Sequence, residues 1–115
     1  MIVVYDSNTG VGKRFAASLG YPIQSIKEKL DAPCILITRN AGAGKIPWST
    51  KSFIKKHQGL IKGFVNNGDS IKHGKTYCGA TPLIIEKYGL VHIRNIDQGV
   101  NDEDIQAVQE FLGSC

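Results

Sequence analysis

"MIVVYDSNTGVGKRFAASLG", residues 1–20, holds a strand, a turn and a helix in one stretch. Met1 to Tyr5 is a short apolar run rich in β-branched residues, which reads as a strand. Polar Asp6 and Ser7 follow, then Gly10 and Gly12. From Val11 the apolar residues fall at Val11, Phe15 and Leu19, the spacing of one helix face. Gly20 ends that helix as a left-handed cap. The Gly-Val-Gly-Lys inside the turn invites comparison with an ATP-binding loop, as does "NAGAGKIP" at 40–47. That loop requires G-x-x-x-x-G-K-[ST], in which the first Gly opens the loop and the final hydroxyl holds magnesium. Around Gly12-Lys13 those two positions are Ser7 and Arg14, and around Gly44-Lys45 they are Arg39 and Ile46. Both ends fail in both places, which argues against ATP or GTP hydrolysis. Ser7, Asn8, Thr9 and Gly10 offer something else: short polar side chains at a helix start, where free N–H groups and the dipole attract anions. A monophosphate suits that chemistry. So does a plain strand–helix turn with Ser or Thr as cap, and the loop alone leaves both readings open.

The alternation continues along the chain. A weak second strand lies near Ile23 to Ile26. "PCILIT", Pro33 to Thr38, is a continuous apolar run of strand length, the pattern of a strand buried on both faces of a parallel sheet. A polar loop at 39–48 leads to a helix in "STKSFIKKH" with Ser49 or Thr50 as cap. Leu60 to Val65 reads as a fourth strand, followed by a loop at 66–75. A third helix carries Leu83, Ile84 and Tyr88, with Thr81 as cap and Pro82 at its first position. "LVHIRNI" is a fifth strand. Asn101 caps a last helix whose Asp102, Glu103 and Asp104 complement the positive dipole end, and whose core stripe is Ile105, Val108 and Leu112. Strands alternating with helices imply a parallel sheet covered on both faces, with ligands beyond the C-terminal strand ends. Three loops rich in Gly, Asn, Ser or Thr then share one rim: 7–12, 39–48 and 66–77.

The chain has 115 residues, 42% hydrophobic and 21% charged, which suits a single soluble domain spanning 1–115. No apolar run approaches the roughly 18 residues of a membrane span. The N-terminus has no basic n-region or small-residue cleavage site, so a cytoplasmic protein is expected. Cys34, Cys78 and Cys115 are far apart, with no zinc-type spacing; they read as free thiols, and no metal site is expected. Net charge is +4. Lys51, Lys55, Lys56 and Lys62 form either a surface for an anionic partner or a solvated helix face. No aromatics interleave them as a nucleic-acid platform would require, so nucleic acid is not an expected partner.

S-x-T-G after a first strand is similar to the phosphate loop of flavodoxin-like FMN proteins. The likeness extends over nearly the whole chain. "YDSNTGVGKRF", "ITRNAGAGKIPWSTKSFI", "GLIKGFVNNGD" and "HGKTYCGATPLIIEKYGLVHI" resemble the NrdI family in order and spacing. NrdI is the small flavodoxin-like protein of class Ib ribonucleotide reductase systems. The most specific motifs are P-x-S-T-x-S-F at Pro47 to Phe53, G-x-x-x-x-G at Gly63 to Gly68 and H-G-x-x-Y at His73 to Tyr77.

The resemblance implies a three-layer α/β/α fold with a five-stranded parallel sheet in the order 2-1-3-4-5. It implies FMN as cofactor and the reductase subunit NrdF, with its dimanganese site, as partner. Reduced by an electron donor, such a protein reacts with O2 and supplies the oxidant that activates NrdF. The alternative is a general flavodoxin-type electron carrier; either way it serves electron transfer rather than metabolic catalysis. A receiver-like signalling domain would want an acidic cluster that this chain lacks. By resemblance, Ser7, Asn8, Thr9, Gly10, Val11 and Gly12 hold the phosphate. Thr38, Arg39, Asn40, Ala41, Gly42, Ala43 and Gly44 lie along the reactive edge of the flavin, with Gly44 setting the balance between its reduced states. Asn66, Asn67, Gly68, Asp69, Gly74, Tyr77 and Cys78 form the opposite wall, with Tyr77 as the stacking ring and Trp48 as a second aromatic candidate. His73 lies in this wall loop as either a cofactor contact or a plain histidine. The basic loop at Arg39 and Lys45, with Lys51, Lys55 and Lys56, is the expected NrdF-docking face.

Overall fold

The structure, a computed structural model, describes residues 1–42, 44–72 and 74–115; the expectations for Ala43 and His73 lie outside the described residues. The elements run β1 (Ile2–Tyr5), α1 (Val11–Ser18), β2 (Ile23–Ser25), β3 (Cys34–Arg39), α2 (Trp48–His57), β4 (Ile61–Asn67), α3 (Ala80–Tyr88), β5 (His92–Ile96) and α4 (Asp102–Ser114). The strands pair in parallel in the order β2-β1-β3-β4-β5, as expected.

Side chains alternate across a strand, and here both faces are apolar. Val4, Leu36 and Phe64 point to one face, where Phe53 and Ile54 of α2 and Ile84 of α3 cover them. Val3, Ile35, Ile37 and Val65 point to the other, under Phe15 and Leu19 from the α1 segment and Val108 and Leu112 of α4. Each of these buried large side chains contributes up to roughly 1.5–3 kcal/mol. The edge strand β2 is only partly covered, with Ile23 exposed, which explains its weak sequence signal.

Two helix starts differ from expectation. α2 begins at Trp48 with Pro47 as its extended N-cap, and no side chain caps it. Ser49 and Thr50 lie inside the first turn because their hydroxyls donate to the carboxylate of Asp6. α3 begins at Ala80, so Thr81 is its second residue and Pro82 its third. Proline is tolerated there because first-turn N–H groups have no intrahelical acceptor. The Thr81 hydroxyl bonds to β4 and β5 side chains instead. The cap of α4 is as expected: Asn101 Oδ1 accepts from Asp104 N at 2.8 Å. Asp104 also pairs with Arg94 of β5, tying the helix to the sheet.

Candidate functional site

The inward rows on the α2/α3 face turn polar at the C-terminal strand ends. Val4 gives way to Asp6, Leu36 to Thr38 and Phe64 to Asn66, and all three polar residues are buried. The register sets Thr38 beside Asn66, and Asn66 beside Asn95. These groups are satisfied largely by one another. Asp6 Oδ2 accepts from Ser49 Oγ at 2.6 Å and from Thr50 Oγ1 at 2.7 Å. Thr50 has only one proton, so Thr38 Oγ1 donates to Thr50 Oγ1 across their 2.5 Å contact. Arg39 Nε stands 3.6 Å from Asp6 Oδ1, an ion pair beyond hydrogen-bond reach. The end of β1, the end of β3 and the start of α2 are thus clamped on one carboxylate.

Above this layer lies an open cleft of about 240 Å³. Asp6, Ser7, Asn8, Thr9 and Gly12 form one end. Arg39, Asn40 and Gly42 form one wall, and Asn67, Gly68, Asp69, Lys72 and Gln98 the other. The first loop is shaped by Gly10, the α1 N-cap, whose φ of +87° favours glycine, and by its N–H donating to Ser7 Oγ at 3.0 Å. That bond leaves the Ser7 hydroxyl proton free to donate to a ligand. First-turn amides such as those of Val11 and Gly12 have no intrahelical acceptor, so this end suits an anion.

The second loop is a tight antiparallel bridge. Ala41 and Lys45 exchange N–H···O bonds of 2.7 and 2.9 Å. Gly42 and Gly44 between them have φ of +51° and +75°, the freedom expected of them. Gly42 borders the cleft, whereas Gly44 packs against Gly79 and Thr76. In the second wall, a Cβ on Gly68 would stand 2.8 Å from Tyr77 Cδ1 and 2.9 Å from Cys78 Sγ. Tyr77 therefore packs its ring on Gly68, and Cys78 lies buried behind it, its thiol donating to Asn66 O. Asp97 fastens this wall from below, accepting from the Ser70 hydroxyl and amide. Those bonds hold its carboxyl below the usual carboxylate range. The stability it contributes is present above that range and is lost as pH falls through its lowered pKa.

The cleft thus gathers Ser7, Asn8, Thr9, Gly12, Arg39, Asn40, Gly42, Asn67, Gly68 and Asp69 from the expected set. Gly10, Val11, Thr38, Ala41, Gly44, Asn66, Gly74, Tyr77 and Cys78 are not in its lining; several of them sit directly behind it. Trp48 lies apart, 80% exposed, in a groove with Phe53, Lys56 and Leu30 on the outer side of α2. Asp6, Lys72 and Gln98 are lining residues that motif reading passed over. Gln98 follows the fifth strand, so the rule that ligands sit beyond C-terminal strand ends could have found it.

Burial pushes the Cys34 thiol and, chiefly, the Cys78 thiol up to about 11, and only Cys115 is exposed. Thiolate is the reactive form, so native protein should show one fast thiol with Ellman's reagent and three after unfolding. Rapid labelling of all three in native protein would contradict the packing behind Gly68.

Residues 3–110 match the family model described as NrdI flavodoxin-like. The chain is 28% identical over 115 residues to the protein NrdI of Deinococcus radiodurans, covering 96% of this chain and 81% of that one. It is 26% identical to the protein NrdI of Bacillus licheniformis, covering 90% and 81%. Among solved structures, a short-chain flavodoxin associated with a non-canonical PDU bacterial microcompartment superposes with a TM-score of 0.69 at 17% identity, covering 97% of this chain and 93% of that one. The Fusobacterium nucleatum flavodoxin bound to flavin mononucleotide gives 0.65 at 11% identity, covering 98% and 94%. These two likenesses establish the fold, and the family match establishes more: the chain belongs to the NrdI flavodoxin-like family.

Proposed function

We propose that the cleft holds FMN and that the loaded protein, in the cytoplasm, activates the dimanganese NrdF subunit of class Ib ribonucleotide reductase. The observation that carries this reading is the placement of an anion-suited helix start and two glycine-bearing walls around one polar cleft, in a chain of the NrdI family. The chemistry supplied by bound FMN is reduction by an electron donor followed by reaction with O2. The protein's part is to bind and orient. Ser7, Asn8, Thr9 and the amides up to Gly12 would hold the phosphate. Gly42, with open space where a Cβ would stand, allows close backbone approach from one wall, while Gly68 lets Tyr77 and Cys78 pack against the other. Arg39, anchored by Asp6, and Lys72 supply positive charge to a ligand that gains electrons.

The test is activation itself. The reduced, FMN-loaded protein is mixed under O2 with manganese-loaded NrdF from the same genome, and the tyrosyl radical is followed by electron paramagnetic resonance. Radical well above the control lacking this protein is expected; no radical with a competent NrdF would sink the reading. Lys45 at the end of the second loop and Lys55 and Lys56 of α2 are exposed. With Lys51 they would form the NrdF-docking face. Affinity for NrdF should then fall about tenfold as salt rises from low to several hundred millimolar, through screening. Salt-independent affinity would count against that face.

A further inference from the structure

Asn40 lines the cleft, and one backbone N–H decides the orientation of its side-chain amide. Ala80 N–H donates to the Asn40 side chain at 3.1 Å, so the atom facing α3 is Oδ1. Asn66 meets that same oxygen at 3.1 Å and must present Nδ2. This Nδ2 also lies 3.0 Å from Thr81 Oγ1, which therefore accepts and turns its own proton to Asn95 Oδ1 at 2.6 Å. Asn95 Oδ1 accepts a second time at 2.9 Å, which requires His92 to carry its proton on Nε2. Five side chains from the end of β3, from β4, α3 and β5 thus follow one donor direction.

The direction has a cost. Asn66 is fully buried and its Oδ1 has no partner among the described residues. Such an orphan acceptor is destabilising, because it has given up water for nothing. Turning Asn66 over gives no relief, because it would set Oδ1 against Asn40 Oδ1. What the arrangement leaves over is Asn40 Nδ2. It has two N–H donors, no partner among the described residues, and it is not sealed from solvent as Asn66 Oδ1 is. Asn40 borders the cleft.

We infer that Asn40 is a specificity residue that recognises a carbonyl oxygen on the ring of the bound ligand. Asn66, Thr81, Asn95 and His92 are positioning residues that keep its donor face forward. The inference rests on the FMN reading, since the flavin ring carries carbonyl oxygens.

The experiment measures FMN affinity by fluorescence and the infrared bands of FMN labelled with ¹³C at its ring carbonyls. In the wild-type protein one carbonyl band should move to lower frequency on binding. Asn40→Asp keeps the shape and the bonds from Ala80 and Asn66, but replaces the donors with an acceptor. It should weaken FMN about tenfold or more and abolish the band shift. Thr81→Val should weaken binding severalfold and shrink the shift, and Thr81→Ser should restore both. A Thr81 with only a structural role would lower the melting temperature without moving the band. An unshifted carbonyl in the wild type, or wild-type affinity in Asn40→Asp, overturns the inference while FMN binding stands. A wild-type protein that takes up no FMN overturns both.

Discussion

Gly44→Val is expected to lower the stability of the protein by about 3 kcal/mol and to release the second loop from the wall behind it. Two effects add. At φ +75° an L side chain is strained, and for a β-branched one the penalty is at least about 1–2 kcal/mol. A Cβ at Gly44 would also stand 3.1 Å from both Gly79 Cα and Thr76 O, with Thr76 Cβ at 3.3 Å. Two of these three are backbone atoms and cannot swing aside. Gly79 is equally constrained, since its own Cβ would come within 2.9 Å of Gly44 Cα. The two glycines form a contact in which neither tolerates a side chain. Gly42 is the control, because it has φ +51° but nothing within 4 Å of its Cβ position. Gly42→Val should therefore cost only the backbone strain. Urea unfolding of both variants checks the prediction; equal losses would mean that the Gly44–Gly79 contact contributes nothing.

Asp6→Ala should lower stability by about 2–4 kcal/mol, because it removes the acceptor that three elements share. Ser49 and Thr50 lose the oxygen to which they donate, and the Thr38–Thr50 pair loses its end point. Arg39 is left without its anion at the cleft edge. Asp6→Asn keeps one acceptor oxygen and should lose less, with the difference reporting the charge on Arg39. Thermal unfolding of the two variants measures both effects. If Asp6→Ala melted with the wild type, the clamp between β1, β3 and α2 would be an incidental contact.

The parts legible in the sequence were those written as continuous hydrophobic or helical patterns. β1 and β3 are apolar runs buried on both faces, so no alternation was needed to recognise them. α1 and α4 announced themselves by apolar spacing, by Gly20 beyond one end and by Asn101 before the other. The first loop and the two glycines of the second were legible because glycine at a strand end has few other uses. What escaped was long-range hydrogen bonding. Ser49 and Thr50 look like caps because they precede a helical run, yet Asp6, 43 and 44 residues away in sequence, holds their hydroxyls. Thr81 looks like a cap for the same reason and is drawn to Asn66 and Asn95. Trp48 suggested a ring beside the cofactor, but Pro47 extends the chain and starts α2 with that side chain outward. No local pattern distinguishes an aromatic that lines a cleft from one that leaves it.

FMN titration of the purified protein tests the central claim most directly. The protein is stripped of any bound ligand, FMN is added, and the quenching of flavin fluorescence is followed to saturation. The structure predicts a single site that fills at one FMN per chain, with riboflavin, which lacks the phosphate, binding at least tenfold more weakly because the Ser7–Gly12 end has nothing to hold. A protein that leaves flavin fluorescence unchanged, or that binds riboflavin and FMN alike, would contradict it.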